Sequence, residues 1–120
     1  MTANPFSIAH QDDLERNGRW ALVRRSLGVG SFGVNLVMIE PGTQIPEHDE
    51  LARDQEELFY VVDGDATVVL DGVRHAAPAG TFVRCDPEVT RTVANDGGAP
   101  VQLLIVSAPR SSGYEPMDWA

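Results

Sequence analysis

Short runs rich in β-branched and aromatic residues recur along this chain, and a turn signal interrupts them about every eight to twelve positions, which is the pattern of an all-β sandwich or barrel. The runs are 20–27, 32–40, 58–62, 67–70, 73–76, 82–85, 89–94 and 101–107. Between them stand Pro41-Gly42, Asp63-Gly64-Asp65, Asp71-Gly72, Pro78-Ala79-Gly80, Asp86-Pro87 and Asn95-Asp96-Gly97-Gly98, residues that fix φ or tolerate turn dihedrals. Asp71-Gly72 is the sharpest hairpin signal. Only 8–16, with Asp12, Asp13 and Glu15 near a possible N-terminal turn, suggests a helix.

The chain has 120 residues, the length of a single domain with one core. We divide it into an N-terminal arm (1–19), a barrel (20–107) and a C-terminal tail (108–120). With 42% hydrophobic and 22% charged residues it has the apolar content of a folded globular protein and none of the signs of a disordered one. The tail, with Tyr114, Met117 and Trp119, is expected to dock on the barrel or on a partner subunit.

Eighteen acidic residues face nine basic ones, all Arg, for a net charge of -9. A surface of that sign repels phosphate backbones and anionic membranes, so neither nucleic acid nor membrane is an expected partner. The single Cys85 has no internal disulfide partner and reads as a small core residue. No basic run followed by an apolar stretch opens the chain, so a cytoplasmic location is the expectation.

Gly28-Val29-Gly30-Ser31-Phe32-Gly33 matches the spacing of a dinucleotide fingerprint. That chemistry needs the glycines to open a helix whose N-terminus faces a pyrophosphate. A strand pattern follows instead, so the glycines read as a bend between two strands.

The informative stretch begins at Gly42. Five residues on come His48, one residue and Glu50; then Glu57, six residues and Gly64. This closely resembles the first motif of the cupin superfamily, and Gly72, Pro78-Ala79-Gly80, Arg91 and Asn95 resemble the second. The resemblance implies an all-β, cupin-type double-stranded β-helix, a jelly-roll-like barrel. It also implies a homodimer, since small cupins often pair through sheet edges.

In metal-binding cupins the first motif supplies two His and one Glu and the second a third His, all directed inward. Position by position, His48 and Glu57 match ligands, Glu50 stands where a second His is expected, and Arg91 stands at the third. A carboxylate serves a divalent metal well. A guanidinium has no lone pair to offer. Beside a metal its charge would cost on the order of 4 kcal/mol at about 4 Å and an effective dielectric near 20.

Arg91 can instead neutralise Glu57 through a bidentate pair, taking over the cation's place. Strand parity agrees, placing Glu57, Phe59 and Val61 on one face, with Arg91 and Val93 on a face that the resemblance turns inward.

Three readings follow. In the first, a polar interior pocket lined by His48, Glu50, Glu57, Phe59 and Arg91 binds a small organic ligand with no tightly bound metal and no other cofactor. If it is also an enzyme, His48 carries the proton while Glu57 and Arg91 orient it or stabilise charge. In the second, His48, Glu50 and Glu57 hold Fe, Mn, Ni or Zn in an enzyme of the dioxygenase or isomerase type. In the third, Phe59, Val61 and Val93 fill the barrel and the protein is a structural or regulatory oligomer. His75 and Arg74 read as solvated strand positions.

Overall fold

The computed structural model describes residues 5–120; residues 1–4, where the expected arm begins, lie outside the described residues. The strands are β1 (Arg16–Asn17), β2 (Trp20–Ala21), β3 (Gly33–Ile39), β4 (Gln55–Asp63), β5 (Asp65–Leu70), β6 (Val73–Pro78), β7 (Phe82–Cys85), β8 (Arg91–Ala94) and β9 (Val101–Pro109). They form two sheets, one in the order β1-β2-β3-β9-β4-β7 and the other β6-β5-β8. Residues 43–48 extend the smaller sheet along β8, with Ile45 N–H donating to the Val93 carbonyl, while His48 and Arg91 exchange both backbone hydrogen bonds.

Each strand turns alternate side chains to the space between the sheets. Val37 and Ile39 of β3, Phe59 and Val61 of β4, and Val101 and Leu103 of β9 meet Val68 of β5, Ala77 of β6, Val93 of β8 and Ile45. All are essentially sealed from solvent. This is the all-β barrel that the strand pattern predicts, in the double-stranded β-helix form that the resemblance to cupins implies.

The β5–β6 hairpin turns at Asp71-Gly72 as expected, with φ of 48° and 81°, the positive pair that a two-residue hairpin turn requires. Gly64 has a stricter reason to be glycine. Its φ is 86°, and a Cβ there would stand 2.5 Å from the Pro100 carbonyl oxygen.

Three expectations are corrected. The run 20–27 is a strand only at Trp20–Ala21; Val23–Leu27 forms a one-turn helix, α1. Gly28 ends it in the left-handed region, donating its N–H to the Arg24 carbonyl, a standard helix terminator. The glycine-rich segment 28–33 therefore joins a helix to a strand rather than two strands, and no helix follows it. The helix expected over 8–16 shrinks to a 3-10 turn, Gln11–Asp13. Side-chain capping by His10 closes that turn, and Leu14 alone of the segment is buried, too little apolar surface to stabilise a helix.

Tyr114, Met117 and Trp119 are 77%, 65% and 84% exposed, so the tail does not dock its large side chains on its own barrel. No helix among the described residues is long and apolar enough to cross a membrane.

Candidate functional site

Phe59, Val61 and Val93 fill one part of the interior. Elsewhere a cavity of about 490 Å³ opens between the sheets, with His48, Glu50 and Glu57 among its lining residues. Its size lies within the range of small-molecule sites, so the barrel is not packed shut.

Local backbone structure sets each of the three side chains. His48 is fixed by its reciprocal backbone pair with Arg91. Glu50 N–H donates to the Pro87 carbonyl, and the turn that follows returns Gln55 N–H to the Glu50 carbonyl. Glu57 occupies an inward position of β4, opposite Cys85 of β7 and Ser107 of β9.

His48 Nε2 lies 3.4 Å from Glu50 Oε1 and 3.6 Å from Glu57 Oε1. One donor atom from each of the three residues falls within 4.8 Å of the others. The sequence placed all three in one site, and the structure brings them together.

The tautomer of His48 follows from its neighbour. Nδ1 lies 3.0 Å from the Pro46 carbonyl oxygen; a carbonyl can only accept, so Nδ1 carries the hydrogen. Nε2 therefore presents either a lone pair or, in the imidazolium, a second N–H to the two carboxylates. A carbonyl behind the distal nitrogen is the usual outer support of a ligating imidazole.

The spacing separates those cases. Distances of 3.4 and 3.6 Å are long for charge-assisted hydrogen bonds, which run about 2.7–2.9 Å. They match the edge of about 3.4 Å between donors held about 2.1 Å from a tetrahedral centre. Glu57 Oε1 is moreover buried with no hydrogen-bond partner, so it has coordinating capacity to spare. The three residues fit a divalent cation.

Arg91 is 0% exposed, but the expected bidentate pair does not form. Its Nε is 3.8 Å from Glu57 Oε1, beyond hydrogen-bond reach, and Nη2 donates at 2.7 Å to the Asp86 carbonyl. The cause is the register of β8: the backbone of Arg91 is tied to His48, and its guanidinium is anchored to the 86–87 turn. Nε and Nη1 have no hydrogen-bond partner. Arg91 is thus a buried counter-charge to Glu57 and lies outside the pocket lining.

The Glu57 carboxyl is pushed above its ordinary value of 4.5 by burial, an effect that Arg91 and His48 oppose and Glu50 reinforces. Phe59, expected on the pocket wall, is wholly enclosed in the core instead, because the β4 position two residues beyond Glu57 faces the tightly packed centre. Cys85 is buried too, and burial pushes its thiol up, as befits a packing residue. Arg74 pairs with Asp96, and His75 is exposed.

The apolar wall is supplied by Trp20, Val34, Ile45 and Ile105, with Arg24 and Arg53 also lining the cavity. The sequence pattern did not point to these residues. Gly28, one position past Leu27, was the available signal that 23–27 ends as a helix, which turns Arg24 toward the pocket.

Comparison with known proteins agrees with this architecture. The Cupin domain family model matches residues 35–107. No curated protein matches the sequence. Among solved structures, a cupin protein from Bacteroides fragilis superposes with a TM-score of 0.79 at 18% identity, covering 98% of this chain and 94% of its own. A sugar phosphate isomerase from a cupin superfamily, from Silicibacter pomeroyi, gives 0.74 at 23% identity over 85% of this chain and 75% of its own. A predicted oxalate decarboxylase from Thermotoga maritima gives 0.60 at 18% identity over 64% and 65%. At these identities the likeness carries the fold alone. The matched span holds both motifs, Gly42 to Gly64 and Gly72 to Asn95, on the barrel strands that the family's fold requires: this chain belongs to the cupin family.

Proposed function

We propose that this chain binds a small organic ligand in the cavity between its sheets, over a floor of His48, Glu50 and Glu57 that takes a divalent cation weakly and exchangeably. The observation that carries the reading is the convergence of three donor atoms, at 3.4 and 3.6 Å from His48 Nε2, inside a cavity of about 490 Å³. Weak retention follows from Arg91. Its fixed charge, 3.8 Å from Glu57 Oε1, already satisfies part of the floor's negative charge and repels a second cation. Bound there, Zn, Mn, Fe or Ni would polarise a ligand carbonyl or hydroxyl. The chain's own residues orient the ligand, exclude water with the Trp20, Val34, Ile45 and Ile105 wall, and move a proton at Glu57 or His48. Isomerisation and decarboxylation, the reactions for which two structural relatives are named, both draw on such polarisation and proton movement.

Calorimetric titration of dialysed, untagged protein with each metal tests this. One saturable, reversible site per chain that His48→Ala abolishes is the expected result. Metal that survives dialysis at near-stoichiometric level overturns the exchangeable reading. Binding of none of the four overturns the cation, leaving the metal-free reading, which the buried charge of Arg91 favours.

The homodimer expected from the sequence is part of the same proposal, supported by exposed Leu58, Phe82, Tyr114 and Trp119. Sedimentation velocity that finds only monomer at micromolar concentration would overturn it.

A further inference from the structure

Acidic residues outnumber arginines two to one in this chain, 18 to 9, and most guanidiniums have a carboxylate of their own. Arg25 meets Glu15, Arg74 meets Asp96, Arg84 meets Asp86, Arg91 meets Glu57 and Arg110 meets Asp54. Two arginines on the cavity depart from this. Arg24 has no carboxylate within 4.0 Å among the described residues, and only the Val29 carbonyl, at 3.3 Å, engages its Nη1. Arg53 has one long contact, Nε to Glu50 Oε2 at 3.9 Å, with its side chain 73% exposed.

Both line the same pocket, Arg24 from α1 and Arg53 from the 3-10 turn that follows Glu50. A guanidinium with no carboxylate and a second with only a long, exposed contact, both on a cavity beside an apolar wall, have a plain chemical use. The planar fork of an Arg matches the oxygens of a carboxylate or phosphate. In a chain of net charge -9 whose cavity is also lined by Glu50 and Glu57, such an anion needs both guanidiniums to offset the carboxylates. Arg16 and Arg19, which have no carboxylate within 4.0 Å among the described residues, lie in a separate, smaller cleft.

We infer that Arg24 and Arg53 form an anion-binding arm of the pocket, so that its ligand is an organic acid or phosphate ester whose charged end meets the two guanidiniums and whose polar end reaches the floor. The inference rests on the small-ligand reading above. Trp20 on the pocket wall is the reporter, in a Trp119→Phe background that silences the other indole. Malonate, inorganic phosphate and glycerol 3-phosphate are titrated against the intensity of Trp20, with malonamide as the uncharged control.

Saturable binding of at least one anion, absent for malonamide, is expected. Arg24→Gln and Arg53→Gln should each weaken it about ten-fold, the loss of one charge-assisted contact, while Arg19→Gln leaves it unchanged. No saturation by any anion, equal binding of malonamide, or indifference to Arg24→Gln and Arg53→Gln overturns the inference. Repeating the titration with Mn²⁺ separates it from the cation reading. Arginine-dependent binding without metal upholds the anion arm even if the cation site fails. Anion binding that appears only with Mn²⁺ and ignores both arginines overturns the arm and leaves the cation site standing.

Discussion

Replacing Arg91 by Met keeps most of the buried volume and removes the charge that faces Glu57. The two groups are enclosed, with side-chain exposures of 0% and 9%, and Nε stands 3.8 Å from Oε1. At an effective dielectric near 20 that separation corresponds to about 4 kcal/mol of attraction. Stripping one partner from a buried pair costs about 3–5 kcal/mol, because the other charge is left uncompensated. Arg91→Met should therefore lose about 3–4 kcal/mol in urea unfolding near neutral pH, a large share of the roughly 5–15 kcal/mol a domain of this size has. Glu57→Gln combined with Arg91→Met should recover much of that, since no charge is then left alone. The bond from Arg91 Nη2 to the Asp86 carbonyl is lost in both the single and the double variant and cancels in the cycle. A coupling energy of about 3 kcal/mol is expected; one below about 1 kcal/mol would refute the claim that Arg91 balances Glu57.

The pH dependence has a definite sign. Folded Glu57 holds its proton above the ordinary value of 4.5, so between that value and the raised one the folded state binds more protons than the unfolded. Stability should fall as pH rises through this window, and urea midpoints of Glu57→Gln should lack that decline. In the core, Phe59→Ala opens a cavity at a 0% exposed position and should cost about 3–5 kcal/mol by equilibrium unfolding. Gly64→Ala forces a Cβ to within 2.5 Å of the Pro100 oxygen at positive φ and should lower the melting temperature, whereas Gly72→Ala, with nothing within 4 Å of its Cβ, should lower it far less. Cys85, 1% exposed with its thiol pushed up by burial, should resist iodoacetamide in the native protein and react fully once unfolded.

Much of the barrel was readable from local pattern. Strands β3 to β9 coincide with apolar runs because they bury side chains between two sheets, and in β4, where Glu57, Phe59 and Val61 are the buried positions, that burial writes its period into the chain. The inward parity of Glu57 and Arg91 was readable for the same reason. Glu57 follows from a motif with fixed spacing to Gly64, whose glycine is required by the close approach of Pro100. The N-terminal fifth was less legible. Trp20–Leu27 has the composition of a strand, yet hydrogen bonds from Ser26 N–H to the Leu22 carbonyl and from Gly28 N–H to the Arg24 carbonyl turn its second half into a helix.

Alternation, turn residues and a spaced motif are properties of neighbours in the chain, and they determined that this protein is a cupin barrel and that His48, Glu50 and Glu57 belong to one floor. How the Arg91 guanidinium is aimed is settled by a turn carbonyl five residues back, that of Asp86, which holds it 3.8 Å from Glu57 without a bidentate pair. The packed core claims Phe59. The cavity wall is assembled from Trp20, Val34, Ile45 and Ile105, residues that no short-range rule connects. Those outcomes depend on the register of one sheet against the other, which exists only once the chain has closed on itself.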